Sequence, residues 1–205
     1  MRIGLVEEAR YLSHLEAMNA WLRALRRAKA PLSYSQGFHA HAKVAFSCAH
    51  PVGEETTADY MDVSLKQRVD PAELLARLQA VLPSGMRAFT CEEVPLHAGS
   101  LMSTVSEMDY SLVALGDPDA IAARIAALHA APEIVVDRKS KHKRGLRTVD
   151  LKPLLRELAV SDENGRLAIR LGVRVEDGIT AKPKEILALL GIENALVRKE
   201  RTAFA

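Results

Sequence analysis

Asp70-Pro71-Ala72-Glu73 and Asp117-Pro118 are two helix starts of one kind. Aspartate can cap the free amide groups of a first turn, and proline at the first helical position costs no hydrogen bond. Glu73 adds the acidic third position of a capping box. After the first start, Leu74, Leu75, Leu78, Val81 and Leu82 mark one apolar face, and Pro83-Ser84-Gly85 ends the helix. After the second, Ile121, Ile125 and Leu128 do the same.

The surroundings of the two starts match as well. Before the first lie a short apolar segment, Ile3 to Val6, and a helix opened by Ser13-x-x-Glu16, with Leu15, Met18, Leu22 and Leu25 on one face and Trp21 beside them. Pro31 marks the exit, and strands are expected over Leu32–Phe38, Lys43–Cys48 and Tyr60–Leu65. Met86 to Val94 supplies another. Around the second start, strands are expected over Tyr110–Leu115, Glu133–Asp137, Leu155–Val160 and Arg166–Val173. Asn164-Gly165 is the hairpin turn between the last two. Residues 151–158 also fit a short helix. Pro183 opens a last helix stopped by Gly191, and Leu196–Phe204 closes as a strand. The order β-α-β-β-α-β read twice predicts an α+β chain of tandem ferredoxin-like (βαββαβ) units with antiparallel sheets. Their bounds are 1–95 and 104–205, with Pro95 to Ser103 as linker.

The 205 residues are nearly half hydrophobic and carry a net charge of +2, so global charge selects no partner. No apolar run reaches the roughly 18 residues of a membrane span, and no secretory signal pattern opens the chain. The two cysteines, Cys48 and Cys91, form no disulfide framework or CxxC pair, so a cytoplasmic setting is expected.

The distribution of charge is more telling. Ser33-Tyr34-Ser35-Gln36-Gly37-Phe38-His39-Ala40-His41-Ala42-Lys43 joins hydroxyls, an amide, two histidines and a lysine to two aromatics, and Tyr60 follows. That inventory suits a polar, anionic ligand. The first helix carries Arg23, Arg26 and Arg27 on one face, which reads either as a solvated surface or as an electrostatic footprint for phosphate. Arg138-Lys139-Ser140-Lys141-His142-Lys143-Arg144-Gly145-Leu146-Arg147 contains no acid. It is either a solvated loop or a phosphate-binding arm that attracts the backbone without choosing a sequence.

Further residues carry the resemblance to a known family. They are Tyr11-Leu12-Ser13-His14-Leu15-Glu16-Ala17-Met18, Arg23 to Ala28, Tyr34 to Phe38, Pro51-Val52-Gly53-Glu54, Tyr60-Met61-Asp62, Arg147 to Leu151 and Lys182 to Leu187. Together they resemble the radical SAM-linked protein family, a bacterial domain family of unknown function. Its members stand alone or are fused behind radical S-adenosylmethionine enzymes. Glu16 stands where that family usually has aspartate, Asn19 where it usually has arginine, and His39-Ala40-His41-Ala42 where it has Asn-Pro-His-Pro. The resemblance implies a radical SAM enzyme as partner. The chain itself lacks the cysteine trio of an iron–sulfur cluster.

These readings favour a non-catalytic accessory protein that binds RNA or another phosphate-bearing ligand, or presents a substrate, beside a radical SAM or RNA-processing enzyme. The binding set is Ser13, His14, Arg23, Arg27, Tyr34, Ser35, Gln36, Gly37, Phe38, His41, Lys43, Tyr60, Lys141, Arg144 and Arg147. The alternative is a metal-independent RNA endonuclease or RNA-modifying enzyme, with His14 as general acid–base and Tyr34 near the reacting centre. His39, His41, Cys48 and His50 are residue types that zinc accepts, but their spacing matches no zinc pattern. No metal and no cofactor are expected. Asp59 and Asp62 are too isolated in sequence to argue a carboxylate pair.

Overall fold

The computed structural model describes residues 1–95, 98–139 and 145–205. It is a mixed α+β structure with mostly antiparallel strands and few helices. The chain divides into two compact units, Met1–Val105 together with Ala205, and Ser106–Phe204.

In the first unit, strand β1 (Arg2–Leu5) leads through a short 3-10 turn to helix α1 (His14–Arg27). Strands β2 (Val44–Phe46) and β3 (Glu55–Val63), helix α2 (Pro71–Gln79) and strand β4 (Met86–Thr90) follow. Within this unit the strands lie in the order β4-β1-β3-β2, each neighbour pair antiparallel. The capping box read from sequence forms. Ser13 Oγ accepts the Glu16 amide at 3.3 Å, and Glu16 Oε2 accepts the Ser13 amide at 2.8 Å. The Ser13 hydroxyl, which donates to Glu16 Oε2 at 2.7 Å, foremost, and then the Ser13 amide hold the Glu16 carboxyl below its usual range. Ala17, Ala20, Trp21, Ala24 and Leu25 form the buried stripe of α1, packed with Ile3, Leu5, Met61, Leu78 and Met86. Burial of a side chain such as Leu25 contributes about 1.5–3 kcal/mol.

A four-residue helix, α3 (Leu101–Thr104), precedes the second unit, beginning in the stretch expected to be linker and ending one residue past it. Strand β5 (Val105–Ala114) and helix α4 (Pro118–Ala130) follow, then a ribbon of β6 (Val135–Lys139) and β7 (Leu146–Asp150). Strands β8 (Leu155–Glu163) and β9 (Arg166–Arg174), helix α5 (Pro183–Leu189) and strand β10 (Ala195–Phe204) complete the chain. The order of this unit's main sheet is β10-β5-β9-β8. Numbered within each unit, both sheets follow the same permutation, the ribbon being an insertion. Leu112, Leu158, Ile169, Leu171, Val173 and Ile186 are among its buried residues. Asn164 and Gly165 both take positive φ, 57° and 77°, which makes the hairpin turn their sequence predicts.

Several expectations are corrected. Leu32–Phe38 is not a strand. It makes only the isolated bridges Leu32↔Leu65 and Tyr34↔Ala42, because the chain folds back on itself at Gly37, whose φ is +121°. The strand expected from Tyr60 begins at Glu55, where the sequence is too polar to be recognised as extended core. Residues 151–158 are no helix, since β8 starts at Leu155 and pairs with β9. The last four of the 86–94 residues lie beyond β4.

Among the described residues no helix is long and apolar enough to cross a membrane.

Two predictions test this architecture. Gly85 has φ +75°, and a Cβ there would stand 2.5 Å from the Val6 carbonyl oxygen. Gly85→Ala should lower the unfolding free energy by more than about 1 kcal/mol in urea titration. Asp150 accepts the Ile134 and Lys152 amides, both at 2.9 Å, and the Ile134 bond foremost holds its carboxyl below the usual range. A depressed carboxylate stabilises the fold above its unfolded pKa and loses that contribution as pH falls through the folded one. The stability gap between the native chain and Asp150→Asn should therefore narrow on acidification.

Candidate functional site

Two places in the first unit gather the chemistry read from sequence. The first is the segment Ser33–Lys43. The Ser35 amide donates to the His41 carbonyl at 2.8 Å, the His41 amide to Ser35 Oγ at 3.0 Å, and the Lys43 amide to the Ser33 carbonyl at 2.9 Å. These bonds close a small hairpin whose tip is Gln36-Gly37-Phe38-His39-Ala40. Phe38 is wholly exposed, at 107% relative accessibility, and Gln36, His39, His41 and Lys43 are exposed around it. Tyr34 faces inward against the core, and Lys66 Nζ lies 5.7 Å from its ring centroid. Tyr34 is thus part of the hairpin's base, while Phe38 is its exposed aromatic.

The second place is the start of α1. A cavity of about 10 Å³, the scale of a single water molecule, is lined by His14, Trp21, Cys48, His50, Thr56 and Asp59 among others. Cys48 donates its thiol proton to Asp59 Oδ1 at 3.1 Å. The His50 amide donates to His14 Nδ1 at 3.4 Å, which leaves the neutral ring's proton on Nε2. The His14 ring stands edge-on to Phe46 with centroids 5.8 Å apart. His50 Nε2 lies 3.3 Å from the Arg10 carbonyl oxygen. Ser47, His50, Glu55, Thr56 and Asp59 are all buried, a dense polar group beside an apolar core. Glu55 is held by the Glu7 amide at 2.9 Å and by Arg10 at 3.4 Å.

Sequence reasoning placed His14 here but missed Asp59, which looked isolated. The signal was in β3, where Glu55, Thr56 and Asp59 occupy buried positions of a strand. His39 and His41 stand at the hairpin, whereas Cys48 and His50 line the cavity. Among the described residues, no group of three or more histidine, cysteine or acidic side chains is arranged to hold a metal ion.

The remaining residues are dispersed. Arg23 and Arg26 project from the exposed face of α1, and Arg27 donates to the Val81 carbonyl at 2.9 Å. Tyr60 is half-buried, its amide donating to Ser47 Oγ at 3.0 Å. In the second unit Arg147 is exposed on β7, and Lys141 and Arg144 lie outside the described residues. Arg138, counted in the basic run, is bound internally. It holds both Glu185 oxygens at 2.8 and 2.7 Å and the Thr180 carbonyl at 2.7 Å.

A family model covers residues 1–183, described as "Uncharacterized protein conserved in bacteria (DUF2344)". The chain belongs to this family. That description names no radical SAM enzyme and no activity for DUF2344. No curated protein matches the chain. Among solved structures, one chain from "Crystal Structure of a Cbf5-Nop10-Gar1 Complex" aligns with this member of DUF2344 at 15% identity and a TM-score of 0.49. The alignment covers 98% of this chain and 48% of that one, so the chain spans about half its length.

The hydrogen bond at His14 gives a direct test. His14→Ala removes the acceptor of the His50 amide and the edge contact with Phe46. It should lower stability by about 1–3 kcal/mol in chemical denaturation, the cost of orphaning a buried donor.

Proposed function

We propose that the chain binds single-stranded RNA through the Ser33–Lys43 hairpin. The observation that carries this reading is Phe38, fully exposed at the tip of a closed hairpin that contains no acid. An aromatic face offers stacking to any base, and neighbouring cations attract the phosphates without fixing a sequence. His39, His41 and Lys43 surround the tip, with Gln36 as a hydrogen-bonding side chain. Arg23, Arg26 and Arg27 on α1 add long-range attraction.

In this reading the two units are tandem ferredoxin-like folds, supported by their shared strand permutation. The protein is a cytoplasmic accessory that holds or presents RNA to an enzyme. A radical SAM or RNA-processing enzyme is the partner implied by the family resemblance read from Tyr11–Met18 and Tyr34–Phe38.

A second reading has one specific observation in its favour. His14, whose Nδ1 accepts the His50 amide, lines a polar cavity with Asp59 and Cys48. An imidazole with Nε2 left to exchange a proton, beside a carboxylate and a thiol, suits general acid–base chemistry in RNA cleavage or modification. Incubation of the purified protein with cellular RNA separates the two. Cleavage abolished in His14→Ala and retained in Glu163→Ala, an exposed position outside both places, would favour the enzyme.

For the binding reading, fluorescence anisotropy with a labelled single-stranded RNA should show affinity falling steeply with salt. Phe38→Ala should weaken it by about 1–3 kcal/mol, the range for loss of one aromatic–base stack. Affinity unchanged in Phe38→Ala would remove the hairpin from the interface.

A further inference from the structure

Each unit inserts a hairpin at the same point of its chain path, between its first helix and the next strand of its main sheet. In the first unit this is the Tyr34–Ala42 hairpin, between α1 and β2. In the second it is the β6–β7 ribbon, between α4 and β8. Each contains a glycine in the positive-φ region, Gly37 at +121° and Gly145 at +143°, with no atom of the described residues within 4 Å of where a Cβ would stand. An exposed large apolar side chain follows each glycine, Phe38 in one and Leu146, 66% accessible, in the other.

The ribbon's charges are sorted along its length. Its two acids are engaged within it or at its root. Asp137 accepts the Thr148 hydroxyl at 3.0 Å, and Asp150 accepts the Ile134 and Lys152 amides. Beyond them, Lys139 and Arg147 are exposed. Arg138 is cross-strand partner to Arg147, yet its guanidinium turns to Glu185 and Thr180. Both side chains of that ion pair are mostly buried, 17% and 13% accessible. A two-pronged arginine–carboxylate contact fixes orientation as well as distance.

We infer that the β6–β7 ribbon is a second arm for single-stranded RNA, the counterpart of the Phe38 hairpin, with Lys139 and Arg147 on phosphates and Leu146 against a base. Arg138 is a positioning residue that anchors the arm to α5 through Glu185 and does not touch the ligand. The choice of RNA as ligand rests on the reading proposed above; the arm and its anchor rest on the ribbon itself.

The test is anisotropy with labelled polyuridylate across a potassium chloride series, with circular dichroism to confirm folding. Lys139→Ala/Arg147→Ala should weaken binding and flatten the logarithmic salt slope by about 1.4, or 0.7 per lost phosphate contact on a single strand. Glu185→Gln should weaken binding with the slope unchanged. If Arg138 were instead a ligand contact restrained by Glu185, the same substitution would leave binding unchanged or tighten it, and that result overturns the anchor. Should Glu185→Gln not fold, Arg138→Lys decides. It keeps the charge but loses the fork, so weaker binding at the same slope supports the anchor, and unchanged binding overturns it. Phe38→Ala run alongside separates the two claims. An effect of Phe38→Ala with a silent Lys139→Ala/Arg147→Ala pair removes the second arm and keeps the first. The converse removes the first site and keeps the arm, and silence in both overturns both.

Discussion

A strand that must lie outermost in its unit's own order, reached from a helix that crosses the sheet, is the constraint on which the rest depends. In both units the chain leaves a central strand, returns through a helix, and enters the strand at the far side of the other central one. The helix must bury its apolar stripe on the way, which fixes its position through residues such as Trp21 and Leu25 in the first unit. The connection that follows faces no such demand. It runs at the boundary of the unit, where added residues displace no packed side chain, and surface connections are where insertions and binding residues accumulate.

The hairpins use that freedom differently. The first is short and closed by the Ser35 hydroxyl and two backbone hydrogen bonds, so Phe38 is held out without a partner strand of any length. The second is a true two-stranded ribbon, and a ribbon of that kind is marginal alone in water. Arg138 and Glu185 supply the attachment, with Val149 buried beneath. A buried two-pronged ion pair contributes little over an apolar contact of the same size, but removing one partner is costly because the other charge stays behind. Its value here is direction.

The buried polar group at the start of α1 has another character. Ser47, His50, Glu55, Thr56 and Asp59 sit where a core would ordinarily place apolar side chains. Buried polar groups must be hydrogen-bonded to be tolerated, and the contacts of Cys48 with Asp59 and of His50 with His14 meet part of that demand. Such a network narrows the arrangements the helix–sheet junction can adopt.

Local sequence determined the helix starts. Ser13, Asp70 and Asp117 each accept an amide within a few residues, and Pro71 and Pro118 preset the first helical φ, so short-range chemistry was enough, and Asn164-Gly165 set its turn for the same reason. The repeated order of elements was legible too, because apolar periodicity is a property of each segment alone. Tertiary structure decided what depended on distant residues. Ser33–Lys43 reads as extended chain by composition, yet a strand needs a partner, and this segment pairs mainly with itself. Asp59 gained a role only when folding brought Cys48 beside it. Arg138 left the basic run only when α5, 47 residues later in the chain, offered Glu185. Charge along a sequence counts cations; only packing tells which of them are already engaged.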